Sequence, residues 1–242
     1  MPAPSSSHPS GDAFAIEVDA STRVSARLVL PTSSSACFVF AHGAGAGMDH
    51  AFMAAFADGL AAKSVATLRY QFPFVEAGRR RPDRPALAQA TVRAAVAEAG
   101  RRCAGLPLFA GGKSFGGRMT SQAQATQPLA DVIGLVFVGF PLHPAGRPGT
   151  ERATHLADVA CPMLFLQGTR DDLADAGLVD GVVAGLGPRA TLVSVDDADH
   201  AFHVRRSTGR TDAQVRDALL DATAAWMTAR AVSVEIGSPR SS

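Results

Sequence analysis

The sequence predicts a three-layer α/β sandwich: an open, mostly parallel sheet between helices, with an antiparallel hairpin at its start. Three observations lead there. From residue 37 onward, short apolar runs recur that are continuous and not alternating, which suits strands buried on both faces. Helical stretches separate these runs, and such β-α-β-α alternation builds a parallel sheet. Hydrophobic residues make up 47% of the 242 and charged ones 19%, enough apolar side chain for a sizeable core and too much for bulk disorder.

The elements follow in order. Residues 1–10 are rich in Pro and Ser and lack both a basic head and an apolar stretch, so they read as a disordered leader and not as a signal peptide. Ala13–Val18, the turn-like Asp19-Ala-Ser-Thr22 and Val24–Leu30 read as the hairpin, stopped at Pro31. Strands are predicted at Cys37–Ala41, Val65–Tyr70, Leu106–Gly111, Val132–Gly139, Met163–Gln167 and Thr191–Val195. His50–Ala62 reads as a helix capped by Asp49, and Pro85–Cys103 as a helix with proline in its first turn and Val92 and Val96 four apart. A short helix is expected around Glu151–Asp158, and Leu173–Leu186 reads as helical with Asp172 as its cap. In the last helix Thr211-x-x-Gln214 resembles a capping box, and Val215, Leu219, Ala222 and Trp226 form one face. Residues 11–232 therefore read as a single domain, followed by a flexible tail at 233–242.

Composition also narrows the function. A formal charge of +1 argues against a dedicated nucleic-acid binder, which needs a basic face. The longest apolar run, Val132 to Phe140, is about half the length that spans a bilayer, so no membrane span is expected. Cys37, Cys103 and Cys161 cannot form a closed disulfide set and show no CxxC spacing; they read as buried thiols of a cytoplasmic protein.

In a parallel sheet, chemistry gathers just past the carboxyl ends of the strands. After the strand at Leu106–Gly111 comes Gly112-Lys-Ser114-Phe-Gly116-Gly, a G-x-S-x-G in a strand–turn–helix setting. A Cβ at Gly112 or Gly116 would meet the adjoining strand and helix, so the turn needs glycine and forces Ser114 to the tip. The Phe115 N–H then sits at a helix N-terminus, where an oxyanion is favoured. A phosphate loop would need glycine where Pro107 stands.

After Cys37–Ala41 comes His42-Gly43-Ala44-Gly45-Ala46-Gly47. Met48 spoils a dinucleotide fingerprint and the strand ending at Tyr70 closes on no acid, so the reading left is an oxyanion loop. Its donor is expected to be Ala44 N–H, with Gly43 second, and His42 braces the loop. Past later strands stand Asp171, beside Asp172, and His200, within Asp196-Asp-Ala-Asp199-His-Ala-Phe-His203. Serine becomes a nucleophile when an imidazole takes its proton, and a carboxylate must hold that imidazole in one tautomer. The acids and histidines at 196–203 show no regular ligand spacing, so no metal and no cofactor is expected.

Gly111-Gly-Lys-Ser-Phe-Gly-Gly-Arg118, Phe140-Pro-Leu-His-Pro144, Gln167-Gly-Thr-Arg-Asp171 and the order Ser114, Asp171, His200 resemble the α/β-hydrolase superfamily. The resemblance is to a small, lidless branch related to dienelactone hydrolases, the KANL/Tex-like hydrolases, and covers roughly Phe38 to Phe202. It implies an α/β-hydrolase fold with minimal or no cap and a triad of Ser114, His200 and Asp171. The expected partner is a small-molecule acyl substrate, handled by a monomer or homodimer. Dienelactone hydrolases use a cysteine nucleophile where Ser114 stands, so their substrate does not carry over. The expected function is a serine hydrolase, a carboxylesterase or related acyl hydrolase; a non-catalytic interaction module of the same fold, or an acyltransferase with the same triad, are the alternatives. Of the remaining residues, His143 is expected to brace a turn or else border the cleft, Arg69 and Arg118 to pair with acids such as Glu76 or Asp131, with contact to a substrate carboxylate as the alternative, and Lys113 to be solvated or packed along its stem.

Overall fold

A computed structural model describes residues 11–237. Strands β1 (Asp12–Glu17) and β2 (Arg23–Val29) pair antiparallel from Asp12–Leu28 to Glu17–Arg23. Along β2 only Val24, Ala26 and Leu28 are buried, as suits a strand near an edge with one solvated face. The rest of the sheet is β3 (Ala36–Ala41), β4 (Val65–Tyr70), β5 (Leu108–Lys113), β6 (Val132–Val138), β7 (Met163–Gly168) and β8 (Ala190–Val195). The order is β1-β2-β4-β3-β5-β6-β7-β8; β2 meets β4 antiparallel and the later pairings are parallel. Every residue of β3, β4 and β7 is buried, the reason their apolar runs do not alternate.

Helices α1 (Ala51–Ala61) and α6 (Asp212–Gly237) cover one face. There Phe56, Leu60, Val215 and Leu219 pack on Phe38, Phe40 and Val136. On the other face α3 (Pro85–Arg102), α4 (Phe115–Thr126) and α5 (Ala176–Leu186) set Val92, Met119 and Val179 among residues around Val39, Leu68 and Phe137. Neighbouring residues of β3 thus belong to different core layers, as the pleat requires. The chain runs from β3 outward to β4, then crosses back over β3 to β5. That reversal opens a crevice at the carboxyl ends of β3 and β5, the switch point where ligands of open α/β sheets bind.

Several local expectations are corrected. The cap of α1 is His50, whose Nδ1 accepts the Phe52 N–H at 3.3 Å, because the Asp49 carboxylate is engaged by Arg27 Nε at 3.2 Å. Helix α5 starts at Ala176, and its cap is Asp175, accepting the Leu178 N–H at 3.1 Å; Asp172 is exposed outside the helix. A four-residue helix, α2 (Pro73–Glu76), had no counterpart in the sequence reading. Glu151–Asp158 is a 3-10 helix. The capping box does form, with Thr211 N–H on Gln214 Oε1 at 2.9 Å and Gln214 N–H on Thr211 Oγ1 at 3.2 Å. Helix α6 runs on to Gly237, past residue 232 where the sequence reading ended the domain. The remaining tail residues and the leader at 1–10 lie outside the described residues. Among the described residues no helix is long and apolar enough to cross a membrane.

Candidate active site

Ser114 sits between the last residue of β5 and the first of α4, with φ 51° and ψ −113°. A non-glycine residue held there carries about 1–3 kcal/mol of strain and needs its surroundings to impose it. The surroundings are glycine contacts. A Cβ on Gly112 would lie 2.4 Å from the Ala41 carbonyl oxygen, and one on Gly116 2.6 Å from those of Ala41 and His42. The elbow therefore presses against the end of β3, and the hydroxyl is left at the tip.

Two further loops bring the partners in. A Cβ on Gly168 would stand 2.3 Å from the Ala198 carbonyl oxygen, so the loop after β7 lies against the loop after β8. Thr169 and Arg170 N–H groups donate to Val195 and Ala198 carbonyls at 3.0 and 2.9 Å. From these loops Asp171 Oδ2 accepts the His200 Nδ1–H at 2.7 Å, leaving Nε2 to accept the Ser114 hydroxyl at 2.9 Å. The Asp171 side chain is 0% exposed and that of His200 27%, so the carboxylate is sealed while the imidazole edge stays reachable. Asp171 also accepts Gln167 Nε2–H on Oδ2 at 2.6 Å and Leu173 N–H on Oδ1 at 2.8 Å. Asp172, its neighbour, points to solvent.

Two positioning side chains escaped the sequence reading. Gln167 holds Asp171 with its amide and the Phe140 N–H with its Oε1 at 2.9 Å, tying the end of β7 to the end of β6. The available signal was a lone amide in an otherwise apolar buried strand. Lys113, expected to be solvated or packed along its stem, reaches across the elbow and donates to the His200 carbonyl at 2.5 Å, with its Nζ 5.4 Å from the Phe202 ring centre. Burial pushes its ammonium down to about 8, against the pull of Asp171 and Asp199.

On the other side, His42 braces the glycine loop. It is fully buried, its Nδ1–H donates to the Gly43 carbonyl at 2.7 Å, and its Nε2 accepts the Phe72 N–H at 2.9 Å. Burial pushes it down to about 4, so it is neutral and able to fill both roles. The loop so held sets Ala44 and Phe115 together in the wall of the cleft before Ser114, and a Cβ on Gly43 would be 3.7 Å from that of Ser114.

Other candidates have local duties. Asp197 is paired with Arg205, Asp199 accepts the Ala201 and His203 N–H groups, and His203 Nδ1 bonds Asp212 at 2.7 Å. His143 braces its turn, with Nδ1–H on the Pro144 carbonyl at 2.9 Å and Nε2 accepting the Asp175 N–H at 3.0 Å. Arg69 donates to the Met48 carbonyl at 2.9 Å and pairs internally with an acid, Asp49, at 3.9 Å. A second serine–imidazole contact, Ser121 Oγ to His155 Nε2 at 2.7 Å, lies in the body of α4. Among the described residues no carboxylate is hydrogen-bonded to this imidazole, and Ser121 is not at positive φ.

Arg118, also expected to pair with an acid, lines the cleft of ≈ 370 Å³ before Ser114, together with Met119, Pro141 and Arg152. That volume suits a small molecule. Between β6 and β7, where a cap would stand, the described chain holds only the 3-10 helix, and the cleft is open to solvent.

The family model described as an alpha/beta hydrolase domain matches residues 34–228. Among solved structures, the chain is similar to a dienelactone hydrolase from Anabaena variabilis, at 20% identity and a TM-score of 0.72, covering 92% of this chain and 98% of that one. It is similar to an alpha-beta serine hydrolase homologue from Coxiella burnetii at 20% identity and a TM-score of 0.71, over 87% and 96% of the two chains. An α/β serine hydrolase without a lid from Xanthomonas campestris matches at 21% identity and 0.69, over 89% and 94%. At these identities the likeness is one of fold.

Proposed function

The chain belongs to the alpha/beta hydrolase domain family, and on that premise we propose that it is a serine hydrolase cleaving a carboxylic ester or related acyl bond of a small substrate. Ser114 Oγ attacks the carbonyl carbon as His200 Nε2 takes its proton, and the Asp171 carboxylate offsets the imidazolium charge. The carbonyl oxygen becomes an oxyanion held by the N–H groups of Ala44 and Phe115, with Gly43 the second choice for the loop donor. Collapse breaks the bond to the leaving oxygen, which receives the His200 proton, and leaves Ser114 acylated. Water then enters by the same route: His200 takes its proton, the hydroxide adds to the acyl carbon, and Ser114 leaves with the proton returned. No metal or cofactor is needed for these steps.

The observation that carries this reading is the continuous relay from Asp171 through His200 to Ser114, at 2.7 and 2.9 Å, ending on a serine held at positive φ. Among the described residues the Ser121–His155 pair has neither a carboxylate hydrogen-bonded to the imidazole nor a serine at positive φ. The test is labelling by an active-site fluorophosphonate. Wild type and Ser121→Ala are expected to be labelled and Ser114→Ala not. A folded wild-type protein that resists labelling would overturn the reading in favour of a non-catalytic interaction module, and labelling lost in Ser121→Ala but kept in Ser114→Ala would move the nucleophile.

A further inference from the structure

The cleft before Ser114 carries two guanidinium groups, Arg118 and Arg152, that are ion-paired with no acid among the described residues. Arg118 N–H donates to the Ser114 carbonyl at 3.1 Å, so Arg118 stands one helical turn from the serine. Helical side chains lean back toward the N-terminus, which carries this guanidinium toward the reacting end. Its Nε is enclosed without an acceptor, and its side chain donates no hydrogen bond among the described residues. Arg152, on the 3-10 helix Glu151–Asp158, gives one N–H to the His143 carbonyl at 3.0 Å out of the five a guanidinium offers. No carboxylate stands within 4.0 Å of either group among the described residues.

The nearby ionisable groups are otherwise engaged. Asp83, on the rim, accepts Arg79 Nη2–H at 2.7 Å and the Phe74 N–H at 2.8 Å. Asp171 is turned to His200. His155, beside Arg118, is pushed down to about 4 by burial and by the Arg118 charge, so it is neutral. Burial and the like charge of Arg152 push the Arg118 guanidinium down from its ordinary value. Two half-buried cations lining one cleft, close enough for one to depress the other, repel, and an anion bound to both would relieve the repulsion. The planar guanidinium fork matches a carboxylate in particular.

We propose that Arg118 and Arg152 form a carboxylate-binding subsite, and that the substrate's acyl part carries a carboxylate. The inference rests on the serine-hydrolase reading for the side of the scissile bond it names. His200 must reach the leaving oxygen, so the alcohol half lies on the His200 side. His200 is not among the residues that line the cleft with Arg118, Met119 and Arg152, so the cleft is assigned to the acyl chain.

The test compares blank-corrected kcat/KM for mono-p-nitrophenyl glutarate and for p-nitrophenyl 5-methylhexanoate, in which an isopropyl group replaces the carboxylate. Wild type is expected to favour the anionic ester by about tenfold to a hundredfold. In Arg118→Met and in Arg152→Met that ratio should fall at least about tenfold, with cooperative unfolding as the folding control. A wild-type ratio near one, a ratio unmoved by either substitution, or a preference seen only when the carboxylate sits in the alcohol half would overturn the proposal. Calorimetric binding of free glutarate to Ser114→Ala separates the two readings. Binding that Arg118→Met abolishes, in a protein that no fluorophosphonate labels, keeps the subsite and discards the hydrolase; labelling without glutarate binding does the reverse.

Discussion

Replacing Asp171 with asparagine removes one negative charge and one acceptor oxygen. Three donors converge on this carboxylate: His200 Nδ1–H at 2.7 Å and Gln167 Nε2–H at 2.6 Å on Oδ2, and Leu173 N–H at 2.8 Å on Oδ1. An amide has a single oxygen. Set at the Oδ2 position, it keeps His200 and Gln167 but turns its NH2 against the Leu173 N–H. Set at Oδ1, it keeps Leu173 and confronts two donors, and Gln167 cannot turn over because its Oε1 holds the Phe140 N–H at 2.9 Å. The first orientation loses one bond and the second two, so the first prevails. Stability should fall by about 1–3 kcal/mol, the cost of one buried unpaired donor. Turnover falls for a different reason. The imidazolium formed when His200 takes the serine proton loses its counter-charge, worth about 4 kcal/mol for charges roughly 4 Å apart at an effective dielectric of about 20. That is roughly a 10³-fold loss of rate. The second orientation would hold the wrong tautomer, with a loss of ~10⁴-fold on a serine-protease precedent. Steady-state hydrolysis of p-nitrophenyl butyrate and urea unfolding measure the two effects. Turnover within tenfold of wild type, or stability unchanged by the substitution, would refute the reasoning.

Asp175→Ala should lower stability by about 1 kcal/mol through the lost cap of α5, while Asp172→Ala stays within about 0.5 kcal/mol of wild type, both read from urea midpoints. The reverse ranking would return the cap to Asp172. His42, pushed by burial from 6.5 to about 4, binds its proton more readily in the unfolded chain. The stability it contributes is complete above pH 6.5 and is lost as pH falls toward 4, an effect on the order of 3 kcal/mol. His42→Gln should therefore flatten stability against pH between 6.5 and 4, and an unchanged slope would show that this imidazole does not titrate with unfolding.

Local chemistry carried much of this architecture. A segment's own pattern states how many of its faces are buried, so the apolar runs of β3 to β8 were legible, with ends displaced by one or two residues. The elbow was legible because only glycine tolerates the approach of Ala41 to Gly112 and Gly116. Ser114, Asp171 and His200 were legible as polar groups placed just past strand ends. The capping box at Thr211 and Gln214 closes within four residues, so both partners stood in view.

What stayed hidden depends on which strand ends the sheet order makes neighbours. Asp172 and Asp175 are equally good caps by type; the course of the loop decides, with His143 Nε2 holding the Asp175 N–H from a different strand connection. Gln167 had no assigned role and Lys113 no assigned partner until the pairing of the parallel strands set their tips beside Phe140 and His200. For Arg118 the sequence left internal pairing and substrate contact both open; the fold decides, because the chain returning from β6 brings Arg152 to the same cleft while Asp83 there is held by Arg79. A buried polar group must find a partner, but its own sequence neighbourhood does not say which distant segment supplies one; the order and register of the strands do.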